Sequence, residues 1–172
     1  LGSGCGGGLV INKKIVSGAN GLGGEWSLNQ MPLKEIKSNI DYNGKFDFSQ
    51  RIEGHLSGKS IEKNFNNLFK KKLTAKEIFS KYRDKDTDAL NFINRYKTNL
   101  ARSLVIIITT IDPDAIVFGG GVSNEIDFLD ELKNISAKLL NEQNLKTVFL
   151  KPIYGDASGV RGAALLGRQN LI

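Results

Sequence analysis

The chain has 172 residues, 40% of them hydrophobic, and a formal net charge of +6. This length can bury the core of one domain, and a composition with only 3 prolines is typical of a globular protein rather than a disordered one. The longest apolar run, residues 104–108, is far too short to cross a bilayer, and no basic leader with an apolar core stands at the N-terminus. We therefore expect a cytoplasmic protein that does not contact a membrane.

The positive charge is not arranged as it is in proteins that bind nucleic acid. Single-strand binders interleave basic and aromatic residues along one face, whereas the one dense basic run here, residues 70–72, ends an amphipathic segment. Cations at that position oppose the negative end of a helix dipole. We therefore expect no direct contact with nucleic acid.

Cysteine usage indicates a reducing compartment. Cys5 is the single cysteine, so the chain cannot form an internal disulfide. One thiol also cannot supply the repeated thiolate spacing of a structural zinc site.

The first predicted elements are a glycine-rich loop, residues 2–8 (the first glycine loop), and a hairpin with strands at residues 9–11 and 15–16. Backbone N–H groups of such a loop can converge on an anion, and Ser3 adds a hydroxyl, so phosphate binding is one interpretation. The other is a tight turn whose glycines supply positive φ. A P-loop and a Rossmann motif are excluded, because no Gly-Lys-Ser/Thr follows and a strand comes next. We expect a strand before Leu1, since the loop's backbone needs partners.

Helices dominate the middle of the chain. Residues 18–25 form a second glycine-rich stretch (the glycine turn), and the polar, poorly periodic residues 29–50 predict a long surface loop. Helical periodicity begins at Ser60, and Thr74 with Glu77 forms a capping box for the next helix. One apolar stripe across residues 86–111 then predicts a long helix that is buried at its C-terminal end.

The last third of the chain alternates strands and helices. The predicted elements are a strand at 115–118, a helix at 126–140, a strand at 147–150 and a Gly/Ala-rich helix at 156–167 packed closely against a sheet. This order predicts an α/β fold with glycine loops at strand ends, where phosphate sites form.

Residues 119–123 (the second glycine loop) follow the strand at 115–118 directly. Three consecutive glycines there would let a flat ring lie against the backbone. The alternative is an ordinary helix start with Ser123 or Asn124 as the N-cap.

Four blocks of the chain resemble the ROK family of sugar kinases and repressors. Residues 1–9 are similar to the family's second phosphate-binding loop, 18–26 to its sugar-binding turn, 112–123 to its adenosine loop and 155–164 to its closing helix. The resemblance is nearest to the fructokinase and N-acetylglucosamine kinase branch. It implies an α/β, actin-like (ribonuclease-H-like) fold in which two domains close on ATP and sugar, with residues 1–172 as the C-terminal domain.

The resemblance also implies which residues contact the substrates. The implied sugar contacts are Asn20, Gly24, Glu25 and Glu53. Carboxylates suit vicinal sugar hydroxyls because they accept two hydrogen bonds in a plane, although Glu53 also fits a surface charge at a helix start. The implied ATP contacts are Gly2, Ser3, Gly4, Cys5, Gly6, Gly7 and Gly8 in the first glycine loop and Gly119, Gly120, Gly121, Val122 and Ser123 in the second.

The chain departs from the zinc-binding members of the family. They place a Gly-His pair after Glu-Trp and then three cysteines, whereas this chain has Ser27 and Leu28 and, at the thiol positions, Gly44, Phe46 and Arg51. None of these is a zinc ligand, so we expect no zinc. The family histidine also touches the sugar, so Leu28 removes one contact. The single histidine, His55, is interpreted as a surface or helix residue.

The catalytic machinery of the family lies upstream of the block where this chain begins. The first phosphate loop with its Mg²⁺-associated aspartate, and the Asn-Asp pair that holds the catalytic base, have no counterpart in the sequence. We therefore expect no catalytic residue, Mg²⁺ ligands outside the chain, and no activity of this segment alone.

Two functions stay open at this point. The first is the C-terminal half of an ATP-dependent hexose or N-acetylhexosamine kinase, which an N-terminal half completes and which forms a homodimer. The second is a sugar-sensing effector domain of a repressor, or a degenerate paralogue, and the loss of the zinc residues motivates it.

Overall fold

The computed structural model describes residues 1–32, 50–155 and 157–169, with side chains as far as residue 165. Strands β1 (Val10–Ile11) and β2 (Lys14–Ile15) form an antiparallel hairpin in which Val10 pairs with Ile15. The two turn residues, Asn12 and Lys13, have φ of 52° and 64°. Positive φ at both positions is the geometry of the tight turn that matches strand twist, and the predicted hairpin is confirmed.

Four helices follow in the middle of the chain: α1 (Glu53–Leu56), α2 (Gly58–Phe69), α3 (Ala75–Arg83) and α4 (Thr87–Ile111). Side-chain caps begin the longer three. Ser57 accepts from the Ser60 N–H, Asp86 accepts from the Ala89 N–H, and the predicted capping box before α3 is present. Each cap satisfies a backbone donor that has no partner within its helix.

The long helix α4 passes through the core. Its buried residues run from Ala89 to Ile108, whereas Ile111 at its end is 37% exposed. The predicted burial toward the C-terminal end is confirmed as far as Ile108, and burial also extends back to Ala89 because neighbouring helices cover α4 along most of its length. The core also contains an edge-to-face pair of rings, Phe65 and Phe92, with centroids 5.3 Å apart.

The remaining elements are β3 (Ala115–Val117), α5 (Gly121–Glu125), α6 (Leu129–Leu140), β4 (Val148–Leu150) and α7 (Ala157–Gln169). Strands β3 and β4 pair in parallel, with Ile116 opposite Phe149. The helix predicted from residue 126 begins at Leu129 instead, because Ile126 is extended and fully buried, which ends α5.

Helix α7 is confirmed as a helix, but the prediction that it packs closely against a sheet is wrong. Val160 and Leu165 are 75% and 63% exposed. A Cβ added at Gly159 or Gly162 would meet no atom within 4 Å. Its small residues therefore make no close approach to the described part of the chain.

The segment predicted as a long loop, residues 29–50, lies outside the described residues from 33 to 49. Its two ends are joined, because the Met31 N–H donates to the Gln50 carbonyl at 2.8 Å and the Ile52 N–H to the Asn29 carbonyl at 2.9 Å. No helix in the described ranges is long and apolar enough to span a membrane.

Candidate functional site

The two glycine loops meet at Leu1. The Leu1 nitrogen donates to the Gly119 carbonyl at 2.7 Å, and the Leu1 carbonyl accepts from the Val122 N–H at 3.1 Å. Gly120 has a φ of 91°, and a Cβ there would lie 2.6 Å from the Leu1 carbonyl oxygen. Only glycine fits this position. The structure therefore brings the two candidate ATP-binding segments, 118 residues apart in sequence, into one site.

Positive φ does not explain the glycines of the first loop. None of its glycines is among the residues with positive φ, so the alternative of a strained tight turn is wrong. Apart from the buried Cys5 and the half-buried Gly2, the loop is exposed. Five of its backbone N–H groups donate to no other group of the described chain: those of Ser3, Gly4, Gly6, Gly7 and Gly8. Exposed N–H groups without a partner in the described chain are available to donate hydrogen bonds to an anion.

The loop's carbonyl groups, in contrast, are held by the start of α2. The Gly58 N–H donates to the Gly2 carbonyl at 2.8 Å, and the Lys59 N–H donates to the Ser3 carbonyl at 3.4 Å. This arrangement uses up acceptors and leaves donors available.

In the second glycine loop, the alternative N-cap assignment is wrong. The N-cap of α5 is Gly120, so Ser123 and Asn124 lie inside the helix. Ser123 is buried, and its hydroxyl bonds to the Gly119 carbonyl. Gly119 and Gly121 would tolerate a Cβ without contact within 4 Å, which leaves an open surface beside the loop.

Two of the four candidate sugar residues contact the first glycine loop. Glu53, the first residue of α1, is half-buried, and its Oε1 accepts from the Cys5 N–H at 3.2 Å. Gly24 contacts the first glycine loop, since its Cβ would lie 2.8 Å from Gly8 Cα. Glu25 is the exposed neighbour of Gly24, and Asn20 is exposed with no hydrogen bond to the other candidates in the described part.

Two lysines near the glycine loops were not among the residues predicted from the sequence. Lys59 and Lys76 line a cleft of about 520 Å³ together with Gly2, Ser3 and residues of α5. Glu62 and Glu125 line the same cleft, so its two lysines are balanced by two carboxylates, and of the first glycine loop only Gly2 and Ser3 reach it. The available sequence signal was the position of Lys59 directly after Ser57 and Gly58, at a helix start.

Side chains with metal-ligating atoms do not gather in this region. Within residues 1–32, 50–155 and 157–169, no three His, Cys, Asp or Glu side chains are placed to hold a metal ion. Gly44 and Phe46, two of the three positions where zinc-binding members of the family have cysteines, lie outside the described residues. The third, Arg51, forms an isolated antiparallel β-bridge with Gln30. Burial raises the pKa of the Cys5 thiol to about 11, so this sulfur is a neutral thiol at physiological pH.

A second cleft, of about 360 Å³, lies between the first glycine loop and β3. Its floor is apolar and includes Leu104, Ile107 and Ile111 of α4. Strand β3 pairs only with β4 among the described strands, so its edge toward this cleft is open. The Leu1–Gly119 hydrogen bond lies at the end of that open edge.

Comparison with known proteins agrees with this geometry. The model of the ROK family matches residues 1–170. The N-acetyl-D-glucosamine kinases of Pectobacterium atrosepticum and Histophilus somni are 36% and 38% identical to this chain over 180 and 176 residues. Each match covers 96% of this chain and 56% of the relative, so the chain spans about half the length of the curated relatives it matches.

Solved structures share the fold at lower identity. The ROK hexokinase of Thermus thermophilus superposes with a TM-score of 0.78 at 20% identity, over 96% of this chain and 54% of that one. A ROK family glucokinase from Streptomyces griseus, in complex with glucose and AMPPNP, gives 0.79 at 23% identity, over 98% and 59%. The expected α/β, actin-like fold is confirmed.

Proposed function

Because this chain belongs to the ROK family, we propose that it is the ATP- and sugar-binding C-terminal half of a kinase for a hexose or N-acetylhexosamine. The observation that carries the proposal is the contact between the two glycine loops at Leu1, together with five N–H groups of the first loop that have no hydrogen-bond partner in the described part of the chain. The N-acetyl-D-glucosamine kinases among its relatives favour N-acetylglucosamine as the sugar.

The proposed roles follow from the chemistry of each group. The first glycine loop binds the phosphates of ATP through its N–H groups, which stabilise negative charge on the transferred phosphoryl group. Val122 and Ser123 belong to the loop that receives the adenosine. Glu25 and Glu53 accept hydrogen bonds from sugar hydroxyls and orient the acceptor. Mg²⁺ neutralises phosphate charge in such reactions, and its ligands and the catalytic base belong to the other half of the protein.

The proposed partner of this chain is therefore an N-terminal half, which would pack against the open edge of β3. A strand that continued the Leu1–Gly119 pairing would run along β3 and cover the apolar floor of the second cleft. Val117 and Leu150 on the two-stranded parallel sheet are 56% and 45% exposed. Parallel sheets are normally covered on both faces, so a further layer is expected here.

The test uses the protein expressed from its complete reading frame, with ATP, Mg²⁺ and a panel of hexoses and N-acetylhexosamines. We expect phosphorylation of N-acetylglucosamine or a related sugar, and no turnover by residues 1–172 alone. Glu53→Gln should raise the sugar KM, whereas Glu142→Gln, an exposed carboxylate after α6, should not. A protein that binds sugar but phosphorylates none would refute the kinase proposal and favour the sugar sensor. Ser27 and Leu28, which stand where zinc-binding members of the family have a Gly-His pair, support that alternative.

A homodimer is part of the same proposal. Exposed apolar side chains such as Ile153, at 93%, are consistent with association. Size-exclusion chromatography with light scattering of the complete protein should give twice the monomer mass. A strictly monomeric protein would remove this part of the proposal.

A further inference from the structure

The first glycine loop is held by three side chains from the sugar-binding side of the site. We infer that Trp26, Ser27 and Glu53 (the loop clamp) are positioning residues that couple sugar occupancy to nucleotide affinity. This inference rests on the proposed function and adds a regulatory link between its two substrates.

Each member of the loop clamp bonds to the backbone of the first glycine loop. The buried Ser27 hydroxyl donates to the Cys5 carbonyl, and the Trp26 indole N–H donates to the Gly6 carbonyl at 3.0 Å. Glu53 Oε1 accepts from the Cys5 N–H at 3.2 Å. The two residues in the middle of the loop are thus bonded to three separate side chains. Five N–H groups of the loop have no hydrogen-bond partner among the described residues, which leaves them available to an anion.

The fit between loop and clamp has little slack. A Cβ at Gly7 would lie 2.7 Å from both the Gly24 carbonyl oxygen and Trp26 Cδ1. A Cβ at Gly4 would lie 2.8 Å from Glu53 Oε1. Because these contacts leave the loop no room to shift on its own, we expect movement of the Glu53 carboxylate or of the glycine turn to move the loop.

Glu53 connects the loop to the proposed sugar site. A carboxylate has two oxygens, and only Oε1 is committed to the Cys5 N–H. A sugar hydroxyl on the other oxygen fixes the carboxylate orientation, and with it the Cys5 peptide. By reciprocity of binding free energies, a sugar that raises nucleotide affinity must gain affinity from the nucleotide by the same factor.

The decisive variant is Ser27→Ala, with Ser136→Ala as a matched control. Both serines are buried, at 1% and 0% exposure, and both donate to a backbone carbonyl, but Ser136 lies in α6 and bonds to Leu132. The measurements are KM for ATP and for sugar, and the Kd of AMPPNP with and without sugar, in the protein expressed from its complete reading frame. Trp26→Phe, which keeps a ring but removes the N–H donor, is the second variant.

For Ser27→Ala we expect KM for ATP at saturating sugar to rise about two- to twelvefold, the factor that corresponds to one net hydrogen bond. By reciprocity KM for sugar at saturating ATP rises by the same factor, while the Kd of sugar without nucleotide changes less than twofold. The enhancement of AMPPNP binding by sugar should shrink by a similar factor. Ser136→Ala leaves the Leu132 carbonyl with its helical N–H donor, so it should leave the fold, both KM values and the enhancement unchanged.

The outcomes separate the two proposals. If the wild-type protein phosphorylates sugar but sugar does not change its affinity for AMPPNP, the coupling is refuted and the proposed function stands. If Ser27→Ala and Trp26→Phe, both folded, keep the wild-type KM for ATP and the wild-type enhancement, the loop clamp is refuted. If the wild-type protein binds neither ligand, the proposed function itself has failed.

Discussion

The ion pair between Lys97 and Glu131 should respond asymmetrically to mutation. Lys97 Nζ lies 2.6 Å from Glu131 Oε2 and 2.7 Å from the Tyr82 hydroxyl, and it lies 4.5 Å from the centroid of the Phe128 ring. The lysine side chain is 3% exposed, but the glutamate side chain is 52% exposed. Removing the glutamate therefore leaves the buried ammonium group without its counter-ion, whereas removing the lysine leaves a carboxylate that water can solvate.

The magnitudes follow from that difference. Breaking a buried pair by removing one partner costs about 3–5 kcal/mol, and the half-exposed Glu131 reduces this to about 2–3 kcal/mol for Glu131→Gln. Lys97→Met keeps most of the aliphatic stem and should cost about 1 kcal/mol, chiefly the hydrogen bond to Tyr82. The double variant should be more stable than Glu131→Gln alone, because no buried charge remains.

The assay is urea denaturation of the chain and its variants, with the free energy of unfolding extrapolated to water. Burial alone lowers the pKa of Lys97, but hydrogen bonds to Glu131 and Tyr82 outweigh it and raise the net pKa. The stabilisation is therefore fully present below the ordinary lysine pKa of about 10 and is lost as the pH rises through the raised value. If Lys97→Met costs as much as Glu131→Gln at pH 7, the argument from the buried charge is wrong.

Three further changes have local outcomes. Cys5 is buried with a pKa of about 11, so iodoacetamide at pH 8 should label its thiol only after unfolding, and rapid labelling of the native protein would contradict this. Because its pKa is raised in the folded state, the free energy of unfolding should also fall as the pH rises from about 9 to 11. Thr74→Ala removes the α3 capping box and should lower the free energy of unfolding by about 1 kcal/mol. The control Thr98→Ala in α4 should lower it by less than about 0.5 kcal/mol, and equal losses in urea denaturation would contradict the capping role. Gly24→Ala and Gly21→Ala both place alanine at positive φ, but the added Cβ clashes only at residue 24, where it would lie 2.8 Å from Gly8 Cα. Gly24→Ala should therefore lower the thermal midpoint more than Gly21→Ala does.

Local rules predicted the elements whose signals lie within a few residues. The capping box before α3 and the tight turn at Asn12 and Lys13 follow from side-chain chemistry and hairpin twist, and both are present. The start of α6 was missed because the burial of Ile126 is a tertiary event that interrupts a continuous helical pattern. The packing of α7 was missed because small residues indicate that a close approach is possible, not that a neighbour is there.

The candidate site was predicted in part. Family resemblance located the two glycine loops, and the structure joined them through Leu1, a contact that no spacing rule could reveal. The roles of Trp26 and Ser27 were also out of reach, because a hydrogen bond to a loop some 20 residues away in sequence leaves no pattern in the chain. Lys59 and Lys76 leave no such pattern either, because their place in one cleft with the first glycine loop depends on tertiary contacts.

The contact between Leu1 and Gly119 also sets when the site can form during folding. Closing a loop of 118 residues costs roughly 4 kcal/mol of chain entropy, which local contacts do not repay. The helices between the two loops can form from near neighbours, so we expect them to precede the junction. While residue 122 is still within the ribosome, the nascent chain therefore cannot form the contact between the two glycine loops at Leu1.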